Sequence, residues 1–92
     1  MIKISWTRRA VQDLDRLHEF LKIVNPVAAT KTVQSFVSAP HVLVNNPRMG
    51  ERLEAFEPRE IRRLLIARYE MRYEVRESNL FILRIWHTRE ER

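Results

Sequence analysis

The sequence predicts an α+β domain in which an N-terminal strand and a helical hairpin pack on a small, mainly antiparallel four-stranded sheet. Three observations predict it. Apolar residues recur every three to four positions through most of the first half of the chain and every second position through the last third. Asn25-Pro26 splits the helical part with a stop and a restart. Three of the four prolines and the single glycine lie in or near the stretch from Asn45 to Pro58, where the period changes.

Ile2, Ile4 and Trp6 alternate with Lys3 and Ser5, which predicts a short strand with one apolar face. Thr7 follows as a helix cap, its hydroxyl placed to accept an amide of the first turn. Ala10, Leu14, Leu17, Leu21 and Val24 then draw one stripe, with Arg8, Arg9, Asp13, Asp15, Arg16 and Glu19 mostly off it. Asn25 caps a second helix whose first position is Pro26. Ala29, Val33, Phe36 and Val37 mark that helix. Val42, Leu43 and Val44 extend it past Pro40 as an irregular last turn closed by Asn45, Asn46 and Pro47. The strands come next: Ile61 to Ile66, a turn at Ala67-Arg68, Tyr69 to Arg76, a turn at Glu77 to Asn79, and Leu80 to Trp86. In the middle one, Tyr69, Met71, Tyr73 and Val75 oppose a solvated Glu70, Arg72, Glu74 and Arg76. In the last, Phe81, Leu83 and Ile85 oppose Leu80, Ile82, Arg84 and Trp86.

Ninety-two residues make one expected domain, 1–92, with no repeat or linker. The 17 basic and 12 acidic side chains leave a formal charge of +5, which steers acidic partners toward the surface: RNA, DNA, an acidic protein or an acidic peptide. MIKISWTRRA lacks an apolar stretch of signal-peptide length, and no run approaches the roughly 20 apolar residues of a membrane span. A cytoplasmic protein with no membrane partner is expected.

Several chemistries are excluded. A single glycine leaves no phosphate-cradling loop or dinucleotide fingerprint. Without cysteine there is no disulfide or thiolate. His18, His41 and His87 show no metal-ligand spacing, and no serine sits in an elbow. Neither cofactor nor metal is expected. Arginine dominates the basic residues after Lys31, and its planar fork suits phosphate and carboxylate. Cross-strand pairing of Arg72 with Glu70 or Glu74 is the plain structural alternative. His87, beside Trp86 and close to Arg89, supplies an imidazole for proton transfer or simply packs at the sheet edge. Trp86, out of phase with Phe81, Leu83 and Ile85, is the better candidate for an interface, whereas Tyr69 and Tyr73 suit the core.

In order along the chain, SWTRRAVQDLDRL, NPVAATKTVQSF, VNNPRMGERL, REIRRLLIARYEMRYEV and LFILRIWHTRE resemble the successive segments of the ParE/RelE toxin superfamily, from Ile4 to about Arg89. The resemblance implies the toxin of a type II toxin–antitoxin pair, a role in plasmid stabilisation, and a cognate antitoxin bound in a hetero-oligomer. That antitoxin is expected on Leu14, Leu17, Leu21, Arg62 and Arg72. RelE-like members cleave mRNA on the ribosome, whereas ParE-like members are associated with DNA gyrase. The position of the phosphate-binding arginine in the nucleases is Glu70 here, a carboxylate that would repel a scissile phosphate. The ParE-like reading is therefore preferred, with no catalytic residue and with Trp86, His87, Arg89 and Arg84 binding the target. The nuclease alternative would use His87, Arg72, Arg62 and Arg63. A third alternative is a basic binding module without toxicity.

Overall fold

The computed structural model describes residues 2–90, so Arg92, one of the arginines of the basic second half, lies outside the described residues. The elements are β1 (Lys3–Trp6), α1 (Arg8–Lys22), α2 (Pro26–Ser38), α3 (Pro40–Asn45), β2 (Glu51–Arg52), a 3-10 turn (Glu54–Phe56), β3 (Ile61–Ile66), β4 (Tyr69–Arg76) and β5 (Asn79–His87). The strands form one five-stranded sheet in the order β1-β5-β4-β3-β2, parallel only between β1 and β5. The expected architecture is present with one strand more than the sequence indicated. That strand, β2, is too short to show a period of two, and it forms because Glu51 and Arg52 lie opposite Arg63 and Arg62.

Both long helices start as their caps dictate. Thr7 Oγ1 accepts the Ala10 amide at 3.2 Å, and Asn25 Oδ1 accepts that of Ala28 at 3.1 Å. The second helix breaks where the sequence suggested it would run on. Pro40 has no amide hydrogen, so the backbone passes through Ala39 with helical angles (φ −55°, ψ −41°) and restarts as α3, with Val42 N donating to Ala39 O at 3.2 Å. The β3–β4 and β4–β5 hairpins turn through Ala67 and Glu77, each at φ 54°, a left-handed conformation costing about 1 kcal/mol for a non-glycine residue.

Ala10 and Leu17 of α1, Phe36 of α2 and Leu43 of α3 pack on Met71, Tyr73, Leu80, Ile82 and Ile85 of the sheet. Each large apolar side chain buried there contributes about 1.5–3 kcal/mol. The β5 alternation departs from the sequence reading. Arg72 of β4 pairs with Arg84, but Tyr73 pairs with Ile82, so β5 carries one extra residue at Leu83. This bulge shifts the phase. Leu80, Ile82 and Ile85 all reach the core, while Phe81, Arg84 and Trp86 lie opposite Glu74, Arg72 and Glu70 on the face away from the helices. No helix among the described residues is long and apolar enough to cross a membrane.

Candidate functional site

β1 ends at Trp6 beside Ile82, and the edge of β5 beyond it would expose unpaired backbone groups. Side chains from the start of α1 take over. Thr7 Oγ1 lies 2.9 Å from Ile82 O and 3.1 Å from Leu83 O. Asp13 Oδ2 accepts the Ile85 amide at 2.9 Å, and Arg16 Nη2 donates to Ile85 O at 3.1 Å. Asp13 is thus a core residue at 4% exposure and not one that falls off the stripe. It also accepts from Arg84 Nε (2.8 Å) and Nη2 (3.2 Å) and from Arg16 Nη2 (3.1 Å). Burial pushes its carboxyl up, but the hydrogen bonds from Arg84, the Ile85 amide and Arg16 outweigh burial and hold it below its ordinary value.

Arg16 reaches past Asp13 to pair with Glu90 after the end of β5. Glu90 Oε1 in turn accepts the His87 amide at 2.7 Å. The Arg89 amide donates to His87 Nδ1 at 3.1 Å, which leaves the proton of the neutral ring on Nε2. The His87 ring stands edge-on to Tyr69 with centroids 5.1 Å apart, and Tyr69 stands against Phe36 at 4.7 Å. Burial raises the Tyr69 hydroxyl pKa, and the Glu90 charge adds to the rise. Between α1 and this strand end lies a cavity of about 440 Å³, with Leu17, Phe20 and Tyr69 as apolar walls and Arg16, His87, Arg89 and Glu90 on its polar side.

On the opposite face, carboxylates and guanidiniums interlock. Glu70 is 1% exposed, with Arg72 Nε at 2.8 Å and Arg63 Nη1 at 3.5 Å. Glu74 is 3% exposed, held by Arg59 through two bonds of 2.7 and 3.2 Å and by Arg76 at 3.2 Å. Neither is the solvated residue that alternation suggested. Hydrogen bonds from Arg59 lead the causes that keep the Glu74 carboxyl below its ordinary value. The arginines then lie on aromatic rings: Arg72 over Trp86 (4.9 Å) and Phe56 (5.5 Å), Arg84 over Trp86 (5.2 Å), and Arg76 over Phe81 (5.1 Å).

Asp13 and Glu74 both titrate lower in the folded chain than their ordinary values of 3.8 and 4.5. Their contribution to stability is therefore complete above those values and disappears as pH falls through the lowered folded ones. The urea midpoint is expected to be flat from about pH 7 to 5 and to fall steeply below about pH 4. Urea titrations followed by circular dichroism at four pH values check this.

The chain matches, over residues 4–92, the family model described as the ParE toxin of the type II toxin-antitoxin system parDE. It belongs to that family. Toxin RelE2 of Caulobacter vibrioides is 30% identical over 87 residues, covering 95% of this chain and 96% of the relative. A solved structure described as the chromosomal ParDE TA system from P. aeruginosa superposes with a TM-score of 0.77 at 27% identity, covering 95% of this chain and 96% of that one. The chain is a toxin–antitoxin toxin of the ParE/RelE superfamily.

The toxin divides its sequence-derived site residues between two faces. His87 and Arg89 meet at the cavity on the helix side, whereas Trp86, Arg84, Arg72 and Arg63 lie across the strand on the other face. Arg62 stands elsewhere again, its guanidinium donating to Glu60 at 2.8 Å and to Gly50 O at 2.8 Å. His87, Arg72, Arg62 and Arg63 are therefore not brought together. Glu70 needs a different account from the one its sequence position invited: Arg72 and Arg63 answer its charge locally, so it presents no bare carboxylate. Trp86 is 6% exposed, and its ring lies against the guanidiniums of Arg72 and Arg84, which also pair with Glu70 and Asp13. Leu17 is in the core at 3% exposure, and Leu14 and Leu21 are half-buried. Arg16, Phe20, Tyr69 and Glu90 escaped the sequence reading as site residues.

Proposed function

We propose that the toxin binds DNA gyrase through the end of β5 and the residues after it, without cleaving RNA, and that a cognate antitoxin neutralises it by wrapping the helical hairpin and the sheet. The observation that carries this reading is the separation of His87 from Arg62, Arg63 and Arg72, so the four residues expected of a nuclease do not meet around one phosphate. His87 and Arg89 present one edge of the binding surface, and Arg84, stacked on Trp86, presents the other. For the antitoxin, Leu17 offers little area on the hairpin, being 3% exposed and otherwise a wall of the cavity. Leu14, Leu21, Arg62 and Arg72 remain the contacts on this reading, joined by exposed Phe20, Ile23, Val24 and Val27 around the hairpin tip.

Purified toxin is expected to inhibit gyrase supercoiling. Arg89→Ala, a change in the exposed segment after β5, is expected to raise the half-inhibitory concentration about tenfold, the loss of one anchoring contact. Trp86→Ala is expected to do so as well by removing the ring beneath the Arg72 and Arg84 guanidiniums, with circular dichroism confirming that it folds. Unchanged inhibition by both folded variants would contradict the assigned surface.

One observation favours a second reading, ribosome-dependent mRNA cleavage. Arg16, Tyr69, His87, Arg89 and Glu90 converge on the cavity. They offer a carboxylate and an imidazole for proton transfer and guanidiniums for phosphate charge, without a metal. New translation-dependent mRNA ends after induction would select this reading.

A further inference from the structure

We propose that the cavity beside His87 recognises a carboxylate side chain flanked by an apolar residue in a partner protein, and that the toxin's own Glu90 is the resident competitor for that site. The inference rests on the reading that this end of the molecule docks a protein, and it names the chemistry of the docked segment.

The anion position is already built and already filled. Glu90 lies three residues after His87 and folds back through a turn in which its amide donates to His87 O at 3.0 Å. One of its oxygens accepts the His87 amide at 2.7 Å, and the other pairs with Arg16. Both donors are held in place by other partners. Arg16 is anchored from behind by Asp13 and by Ile85 O, each at 3.1 Å. The His87 amide belongs to the last residue of β5, and the following Thr88 amide is tied to Arg68 O at 2.9 Å. An incoming carboxylate therefore meets donors that are already oriented, the arrangement that lowers the cost of binding. It exchanges for Glu90 with little net change in hydrogen bonding, while Arg89 adds attraction from the cavity rim.

The walls select the flanking residue. Phe20 is 68% exposed at the rim, and Leu17 and Tyr69 form the apolar side of a cavity of about 440 Å³. That volume is within the range of sites that enclose a small ligand, and here it suits an aromatic or leucine side chain next to the acid. Polynucleotide affinity instead accumulates over several phosphate contacts. Arg59, Arg63, Arg72 and Arg76 on the far face are already paired with Glu51, Glu70 and Glu74.

The test titrates the folded toxin and its Glu90→Gln variant with the capped dipeptide acetyl-Asp-Phe-amide, its neutral counterpart acetyl-Asn-Phe-amide, and a ribodinucleotide. Amide shifts of His87 and the Nε–H of Arg16 are followed by NMR. Weak binding of the acidic peptide to the toxin, about tenfold tighter binding to Glu90→Gln, and no response to the neutral peptide are expected. Equal affinity for the two proteins, no binding to either, equal binding of the neutral peptide, or a response to the dinucleotide alone would each overturn the proposal. The titration contains no gyrase, so a toxin that bound the peptide as expected but left gyrase unaffected would remove the target and keep the site.

Discussion

Asp13→Asn is expected to destabilise the toxin by about 2–3 kcal/mol, a large share of the roughly 5–14 kcal/mol that holds a domain of this length. The carboxylate accepts from two arginines and from the Ile85 amide while 4% exposed. An amide of the same shape keeps one acceptor oxygen and turns a donor toward a cluster of donors. The guanidiniums of Arg84 and Arg16 retain some access to water, with side chains 33% and 40% exposed, which keeps the loss below the top of the range for breaking a buried pair. The melting temperature should fall by roughly 10–20 °C. The acid-induced loss of stability should also be shallower in the variant, because one of the lowered carboxyls is gone. Glu19→Gln, which removes an exposed pair with Lys22, is the matched control and should change nothing measurable.

Gly50→Ala is expected to cost about 2–4 kcal/mol, for a reason of space and not of backbone angle. A methyl at this position would lie 2.6 Å from Arg63 O, 2.6 Å from Tyr73 Oη and 2.8 Å from Tyr73 Cε1. Tyr73 is completely buried, and its hydroxyl accepts the Gly50 amide at 2.9 Å and donates to Pro47 O at 2.8 Å. The loop after α3 is thereby fastened to the middle of the sheet, with Arg62 adding a bond to Gly50 O. Displacing the tyrosine strains the core and opens this fastening together. In a Tyr73→Phe background part of the clash is absent, so the two substitutions should be non-additive by about 1 kcal/mol or more. Urea unfolding of the four proteins of the cycle measures this, and simple additivity would contradict the described contact.

The fold was readable because its strongest signals are local. Two caps, a proline restart and a change of period are each written within a few residues. What escaped depends on partners distant in sequence. LFILRIW is apolar in both phases, so nothing in the string shows that Leu83 is an extra residue and that Ile85 joins Leu80 and Ile82 in the core. Pro40 marks a helix boundary, but the apolar residues beyond it disguised the break. The buried carboxylates were partly visible. Asp13 lies three residues after Ala10 and four before Leu17, on the stripe itself. Glu70 and Glu74 each precede an arginine by two positions on the same strand face, the spacing of the observed pairs.

The candidate site was legible to a lesser degree. His87 and Arg89 are neighbours in the chain, and they share the cavity. Trp86 and Arg84 are close to them in sequence, but the alternation of a strand sends Trp86 to the other face. Arg16 and Phe20 arrive from α1 and Tyr69 from β4, a convergence that only the packed structure displays. The arginines were recognised as a group. The pairing of Arg72 with Glu70 is the structural alternative that the sequence offers, but the burial of Glu70 and Glu74, which changes how many arginines are available to an acidic partner, is not written in it.

The central claim is tested most directly by inducing the toxin in cells and following chromosomal DNA and mRNA 5′ ends in parallel over the first minutes. A DNA-damage response with gyrase trapped on cleaved DNA and intact transcripts is the result expected of a gyrase-directed toxin. Undamaged DNA with rapid, translation-dependent cuts in mRNA would contradict it and transfer the function to the His87 cavity as a nuclease centre.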